Sequence, residues 1–173
     1  MQKEYWDKFY VDFEENKPSA FCQWFIKQEF SGSLTELGAG NGRDLSLLQK
    51  YFNATGIDQS FENEFIQKIR IEDYIKNNTC SDIIYTRFLW HAIEEDLQEM
   101  IINWCKGILV IEARTDKDRP KIYMGHKRNL VNVEKLKKQL INFTILYCEE
   151  NVGWARYKDE NPHIIRMIAK YGL

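Results

Sequence analysis

The glycine-rich segment at residues 36–42 is the part of the sequence whose residue types and spacing point most directly to ligand binding. It has the sequence ELGAGNG and stands between a short apolar run and a leucine-rich segment with helical spacing. Glycine allows a tight turn and lets a ligand approach the main chain closely, because no Cβ projects from it. In an open α/β sheet such a strand-to-helix turn lies at the carboxyl edge, where ligands bind. The segment therefore predicts a small-molecule site.

Acidic residues after the next two expected strands extend this site. Asp58 ends the second strand, and a carboxylate there can accept hydrogen bonds from both ribose hydroxyls of a nucleoside. Asp73 and Tyr74 follow the third strand, where a carboxylate can accept a hydrogen bond from an adenine amino group and an aromatic ring can pack on the base. The three residues together predict a ligand that contains a nucleoside.

Three interpretations of the glycine segment compete. A dinucleotide site shares the acid on the second strand, but it prefers GxGxxG and places a pyrophosphate at the helix N-terminus. Here the fingerprint is GAGNG, and Asp44 opens the following helix, where an acid suits an ammonium group better than a diphosphate. A P-loop is excluded because no GK[ST] follows. A tight turn without a ligand is the third interpretation, and the accompanying acids disfavour it.

The segment ELGAGNGRD followed by TGIDQS resembles motif I and the acidic second-strand motif of class I methyltransferases that use S-adenosylmethionine (SAM). The resemblance covers nearly the whole chain. It implies an α/β, Rossmann-like three-layer sandwich with a mostly parallel seven-stranded sheet, order 3-2-1-4-5-7-6, in which strand 7 is antiparallel. It also implies SAM as cofactor and S-adenosylhomocysteine (SAH) as product. The residues implied at the cofactor are Glu36, Gly38, Ala39, Gly40, Asn41, Gly42, Asp44, Asp58, Gln59, Asp73, Tyr74 and Arg87.

Periodicity along the chain predicts strands that alternate with helices in one domain, residues 1–173, and hence a mostly parallel sheet. The expected helices cover residues 20–28, 43–51, 93–105 and 133–140, with a short helix near 61–65 and a helical turn after 71. The expected strands cover residues 33–37, 53–57, 68–71, 82–86, 107–113, 143–149 and 164–169. The last two strands have no helix between them and therefore predict an antiparallel hairpin.

Two histidines are the candidate general bases for transfer to a hydroxyl or amine. His91 follows the fourth strand, whose end faces the methyl group in the resembling family, and a neutral imidazole with a pKa of about 6.5 can accept a proton. His126 is the second candidate. The alternative for His91 is that it caps or packs against the next helix. The residues expected at the substrate are Tyr10, Arg87, His91, Glu112, Arg114, His126 and Arg128.

The cations of this set predict a small anionic acceptor, although Arg87 could equally tie its loop to Glu112. The segments YTRFLWHAI, EAR, HKR and NPHIIRMIAK are similar to bacterial methyltransferases of capsular or other surface-polysaccharide gene clusters. This similarity implies a sugar, nucleotide sugar or phosphorylated polyol-amine acceptor, with no choice between oxygen and nitrogen. The segment WDKFYVDF, with KPSAFCQWF, resembles the same set and implies that residues 1–30 form a lid. Its aromatic residues are Tyr5, Trp6, Tyr10 and Phe21, and the alternative is that they cover the sheet edge.

Composition limits the remaining classes. A net charge of −2 disfavours nucleic acid as a partner. The four cysteines lack metal-site spacing, so no metal is expected, and they indicate a reducing compartment. No apolar run approaches the roughly 20 residues that span a bilayer. We therefore expect a cytoplasmic monomer or homodimer without a membrane partner. A noncatalytic SAM-binding module and an RNA or protein methyltransferase are the rival functions, and the Asn-Pro-Pro-Tyr type of motif is absent after the fourth strand.

Overall fold

The computed structural model describes residues 17–118, 122–123, 126–156 and 160–172, with residues 122–123 and 126–127 described by their backbone alone. Its strands, in chain order, are Ser33–Leu37 (β1), Asn53–Asp58 (β2), Ile66–Lys68 (β3), Ile83–Arg87 (β4), Ile108–Arg114 (β5), Ile122–Tyr123 (β6), His126–Lys127 (β7), Phe143–Asn151 (β8) and Ile164–Tyr171 (β9). Its α-helices are Ala20–Phe25 (α1), Leu45–Leu48 (α2), Ile71–Asn77 (α3), Glu95–Trp104 (α4) and Val133–Gln139 (α5). Short 3-10 helices are Ile26–Gln28 and Trp90–Ala92.

Seven of these strands form one sheet in the order β3-β2-β1-β4-β5-β9-β8, while β6 and β7 pair only with each other. Strands β1 to β5 are mutually parallel, and β9 runs antiparallel to both β5 and β8. The predicted order 3-2-1-4-5-7-6 and the reversed strand 7 are therefore confirmed, with β8 and β9 as the sixth and seventh strands of the main sheet. The pairing of Arg114 with Ile164 places the connection between β8 and β9 at the carboxyl end of β5.

Apolar side chains cover the sheet on both faces, which explains why β4 and β5 are nearly continuous hydrophobic runs. On one face α3, α4 and α5 pack against β1, β4, β5 and β9. On the other face α1 and α2 pack against the same central strands. The molecule is thus a three-layer α/β sandwich. None of the helices in the described ranges has the length and apolar character needed to cross a bilayer.

Helix α1 begins where the sequence predicts it. The hydroxyl of Ser19 accepts a hydrogen bond from the backbone N–H of Cys22 at 3.0 Å, which satisfies one unpaired donor of the first turn. The helix tightens into a 3-10 turn and ends at Glu29, whose φ of 57° lies in the left-handed region. Helix α2 is shorter than the predicted 43–51, because residues 50 and 51 make tight i to i−3 backbone bonds after it.

The segment from 59 to 78 differs from prediction. The expected helix near 61–65 is absent, because Asn63 instead offers its side-chain oxygen to the backbone N–H groups of Phe65 and Ile66, each at 2.8 Å. Strand β3 consequently begins at Ile66, two residues before the predicted start, and a full helix, α3, replaces the predicted turn. The parallel connection 59–65 has no helix, whereas such connections usually need roughly a dozen residues or more.

Candidate active site

The glycine turn crosses the end of β2. Gly38, Gly40 and Gly42 have φ values of 73°, 56° and 79°, a region that side-chain-bearing residues rarely adopt. The backbone N–H of Gly38 donates to the carbonyl of Ile57 at 2.9 Å, which fixes the turn over the second strand. A Cβ at Gly42 would stand 2.8 Å from a side-chain carbon of Ile66. The close packing under the turn and its positive φ values explain the three glycines.

Asp58 joins the two loops at the carboxyl ends of β1 and β2. It is buried, and its Oδ2 accepts a hydrogen bond from the backbone N–H of Gly40 at 2.9 Å. Its Oδ1 accepts from the N–H groups of Ser60 at 2.8 Å and Phe61 at 3.2 Å. A carboxylate oxygen accepts two hydrogen bonds, so Oδ1 is filled and Oδ2 has capacity for one further donor.

Glu36 is a buried carboxyl group at the end of β1. Only 4% of the residue is exposed, and its Oε2 has no hydrogen-bond partner. Burial raises the pKa of Glu36 well above its usual value, and the nearby carboxylate of Asp44 raises it further. An unpartnered buried acceptor of this kind is costly to the folded chain. It suits a ligand that brings a positive charge or a hydrogen-bond donor.

Asp44 is bonded within the protein. Its Oδ1 accepts from the backbone N–H of Ser19 at 2.6 Å, and its Oδ2 accepts from the hydroxyls of Ser19 at 2.7 Å and Tyr85 at 2.9 Å. The residue is 1% exposed. The carboxylate of Asp44 therefore anchors the start of α1, and its contact with an ammonium group of the cofactor stays a prediction.

A row of ionised side chains runs across three neighbouring strands. Arg87 of β4, Glu112 of β5 and Arg166 of β9 are paired in register and therefore project from the same face. The Nε of Arg87 donates to Oε1 of Glu112 at 3.1 Å, and the Nε of Arg166 donates to Oε2 at 2.9 Å. The Nε of Arg87 is also 4.0 Å from Oδ2 of Asp44, so the row reaches the glycine turn.

His91 is held in the 3-10 helix after β4. Its ring is buried, and its Nδ1 accepts a hydrogen bond from the backbone N–H of Arg114 at 3.1 Å. The neutral ring therefore carries its proton on Nε2, which makes that nitrogen a donor. This arrangement disfavours His91 as a general base, and that role stays a prediction. The alternative, a packed structural histidine, agrees with its edge-on contact with Phe88 at 5.4 Å between ring centroids.

The expected cationic pocket is largely paired with acids. Arg114 donates through Nη1 to Asp118 at 3.0 Å and through Nη2 to Glu160. Arg128 lies with its Nη1 3.9 Å from a carboxylate oxygen of Glu160. Arg114 and Arg128 therefore hold the loops beyond β5 together, and their contact with a substrate stays a prediction.

No protein-family model matches the chain, and no curated protein matches its sequence. Solved structures do match its fold. TehB from Haemophilus influenzae superposes with a TM-score of 0.70 at 16% identity, over 95% of this chain and 66% of TehB. A SAM-dependent methyltransferase from Anabaena variabilis gives 0.68 at 14% identity, over 98% of this chain and 93% of that one. The chain has the fold of SAM-dependent methyltransferases.

A third structure with this methyltransferase fold contains ligands. The 1,6-didemethyltoxoflavin-N1-methyltransferase of Burkholderia thailandensis, with bound 1,6-didemethyltoxoflavin and SAH, gives a TM-score of 0.71 at 14% identity, over 95% of this chain and 81% of that chain. The residues present here fit SAM on their own chemistry. The unpartnered Oε2 of Glu36 can accept a hydrogen bond from a cationic group of SAM. The buried Nε2 of Gln59 has no partner and can donate to a hydroxyl of the SAM ribose.

Three further residues predicted at the cofactor are Asp73, Tyr74 and Asn41. Asp73 lies in the first turn of α3, which follows the carboxyl end of β3, and its side chain is 54% exposed and 4.0 Å from Nζ of Lys76. Tyr74 is half-buried and packs edge-on against Trp104. The Asn41 side chain accepts from the N–H of Arg43 at 3.3 Å.

The predicted lid falls mostly outside the described residues. Tyr5, Trp6 and Tyr10 lie there, as does the side chain of His126. Phe21 is described, and it is fully buried against Tyr85 with ring centroids 5.2 Å apart.

Sequence reasoning missed two residues near the candidate site. Ser19 caps α1 and also binds Asp44, a contact that no local pattern indicates. Arg166 was not considered at all, although it is the one charged residue within the otherwise apolar run 164–169. A charge inside a buried strand is a usable signal, because such a charge is almost always paired or functional.

Proposed function

We propose that the chain is a SAM-dependent methyltransferase that acts on a small molecule. The single observation that carries the proposal is the glycine turn with positive φ, packed above Ile57, beside the buried and unpartnered carboxyl of Glu36. A tight turn without a ligand does not explain why the chain retains a buried acceptor with no donor. A cationic nucleoside explains both features, and the methyltransferase fold supplies the precedent for it.

The cofactor roles follow from the free hydrogen-bonding capacity of each group. Glu36 accepts from the methionine part of SAM, and the turn from Gly38 to Gly42 leaves room for it. Asp58 receives one ribose hydroxyl at Oδ2, and Gln59 contacts the sugar beside it. Asp73 and Tyr74 remain the proposed adenine contacts. When bound, SAM supplies a methyl group on a sulfonium leaving group, so the chain mainly has to orient the acceptor and exclude water.

The acceptor is proposed to be a small polar molecule methylated on oxygen or nitrogen. The Burkholderia thailandensis enzyme is named for methylation at N1 of 1,6-didemethyltoxoflavin, which supports a small acceptor in this fold. The surface-polysaccharide acceptor, sugar-derived or phosphorylated, rests on sequence similarity alone. If the acceptor is a hydroxyl, His126 is the proposed base, since the Nε2 of His91 is a donor. A cytoplasmic monomer or homodimer completes the proposal, supported by four free cysteines.

Calorimetric titration with SAM and SAH tests the proposal directly. The informative variant is Gly42→Ala, because its Cβ would stand 2.8 Å from Ile66 and its φ is positive. The matched control is Gly172→Ala, which also has a positive φ, 94°, but nothing within 4 Å of the added carbon. We expect wild type and G172A to bind SAH alike and G42A to bind at least tenfold more weakly. If wild-type protein releases no heat with either ligand, the proposal is wrong.

A screen of phosphorylated small molecules and nucleotide sugars then identifies the acceptor. The readout is SAH release in the presence of SAM, with G42A as the inactive comparison. Turnover with one acceptor and not with others establishes the enzyme. SAM binding without turnover on any acceptor would favour the noncatalytic module instead.

A further inference from the structure

Arg166 occupies the end of the charged row that is far from the glycine turn. Its partner strand β5 places it beside Glu112, and Glu112 in turn lies beside Arg87. The connection between β8 and β9 lies at the carboxyl end of β5, and Arg166 is two residues into β9. Arg166 is therefore near the same end of the sheet as Glu36, Asp58 and the glycine turn. The row of Arg87, Glu112 and Arg166 thus links the glycine turn with the beginning of β9.

One nitrogen of the Arg166 guanidinium has no hydrogen-bond partner. The residue is 6% exposed, its Nε is bonded to Glu112, and its Nη2 is buried with no acceptor. Arg114 provides the contrast within the same sheet, since both of its terminal nitrogens are bonded to acids. A guanidinium left with a buried free donor is a ready site for an anionic oxygen.

Three aromatic rings surround this guanidinium. Its Cζ is 4.6 Å from the ring centroid of Trp154, 5.4 Å from Phe21 and 5.5 Å from Trp24. Trp154 comes from the β8–β9 connection, whereas Phe21 and Trp24 come from α1. The rings exclude water, which strengthens the field of the cation. Trp154 is only half-buried, so its ring can also pack on a flat apolar body.

Among the described residues Glu112 is the only carboxylate that forms an ion pair with Arg166. Arg87 and Arg166 share the single carboxylate of Glu112, and both of its oxygens are used. We propose that Arg166, enclosed by Trp154, Trp24 and Phe21, binds the anionic group of the methyl acceptor. The acceptor is then a small molecule that carries a carboxylate or phosphate on a flat apolar body. This inference rests on the proposed function and adds a binding residue to it.

Tryptophan fluorescence tests the inference without turnover, because Trp154 lies next to the cation. The probes are benzoate, phenyl phosphate and inorganic phosphate, with uncharged benzamide as the neutral analogue, all in saturating SAH. We expect benzoate or phenyl phosphate to change the emission of wild type saturably and benzamide to leave it unchanged. The Trp154→Phe variant should lose most of the signal.

The matched variants are Arg166→Gln and Arg70→Gln. Arg70 is an exposed arginine paired with Glu72, so R70Q removes the same charge elsewhere. We expect R166Q to weaken binding of the anionic probe at least tenfold and R70Q to leave it unchanged. If R166Q does not fold, Arg166→Lys and W154F are titrated by calorimetry, and each is expected to bind the anion several-fold more weakly.

The inference is overturned if SAH-loaded wild type binds no anionic probe, or if wild type and the Arg166 variants bind it equally. Equal binding of benzamide and benzoate overturns it too, since the site would then recognise only the flat body. Binding of the phosphates alone identifies the anionic group as phosphate. The proposed function fails separately, through loss of SAH binding in the calorimeter, so the two failures are distinguishable.

Discussion

Glu36 couples stability to cofactor binding through a single proton. Its raised pKa means that the folded chain holds this proton to higher pH than the unfolded chain does. The folded state therefore loses stability as pH rises from the ordinary carboxyl range, near 4.5, up to the raised value. At neutral pH the Glu36→Gln variant should be the more stable protein without cofactor, by about 1–3 kcal/mol, because a neutral amide has no charge to give up when it is buried.

The same variant should bind SAM more weakly, because an amide cannot take the negative charge that a cationic ligand favours. Wild-type affinity for SAM should rise with pH as Glu36 ionises, and the affinity of E36Q should stay flat. Urea unfolding and calorimetry between mildly acidic and neutral pH measure the two effects. Loss of stability in E36Q, or a pH profile identical to wild type, contradicts this account.

Cys80 is expected to be the most reactive thiol of the four. A hydrogen bond from the thiol of Cys105 and the backbone N–H groups of residues 106 and 107 lower its pKa to about 7. Burial raises the pKa of Cys22 and of Cys148, so both stay protonated at neutral pH. Iodoacetamide should label Cys80 first, as read by peptide mass spectrometry. Cys80→Ser should remove the fast phase of iodoacetamide labelling, and Cys148→Ser should retain it. A fast phase that survives in C80S would falsify the assignment of Cys80 as the most reactive thiol.

Local signals account for what the sequence could predict at the residue scale. The glycine turn and Asp58 are adjacent to their own strand ends, so spacing alone was enough to bring them together. The bonds of Asp44 to Ser19 span 25 residues, and that of Arg166 to Glu112 spans 54. Such partners depend on which helix covers which strand, and no spacing rule encodes that.

At the scale of elements, the start of α1 is fastened to the loop before α2. Ser19 caps the helix through Cys22 and also gives two hydrogen bonds to Asp44. Ser19→Ala removes the cap and one donor to a buried carboxylate, so it should cost about 1–3 kcal/mol in the free energy of unfolding. Urea unfolding measures it, with Ser46→Ala as an exposed control that keeps wild-type stability within about 0.5 kcal/mol. An S19A value as small as the control would show that the contact contributes nothing.

Elements with strong periodicity were predicted nearly to the residue, and the weak ones were not. Strand β5 and helix α4 combine apolar spacing with suitable ends, and both lie within one or two residues of expectation. The segment 59–65 has no such periodicity, and side-chain bonds from Asp58 and Asn63 decide its course. Polar side chains that compete for backbone N–H groups are invisible to a periodicity argument.

For the whole molecule, alternation of strands and helices predicts a mostly parallel sheet, and the resemblance to class I methyltransferases implies its strand order. The proposed acceptor site instead depends on side chains from α1, β4, β5, β9 and the β8–β9 connection. The cofactor, in contrast, draws mainly on one edge segment, which is why a sequence motif can reveal it. The proposed cofactor contacts are therefore mostly close together in the sequence, whereas the proposed acceptor contacts are far apart in it. Ligand binding should still be measurable as stability of the whole fold, because cofactor bound to the native state shifts the unfolding equilibrium.

Thermal unfolding in rising concentrations of SAH measures this coupling. At a ligand concentration of 100 Kd the native state gains about 2.7 kcal/mol. For a chain of this size each kcal/mol shifts Tm by roughly 2–4 °C. G172A should shift like wild type, E36Q should shift less from a higher starting Tm, and G42A should shift less than wild type at the same SAH concentration. NAD should have no effect, since the turn lacks the GxGxxG spacing that a pyrophosphate requires. A wild-type Tm that rises with NAD and ignores SAH would restore the dinucleotide interpretation of the glycine turn.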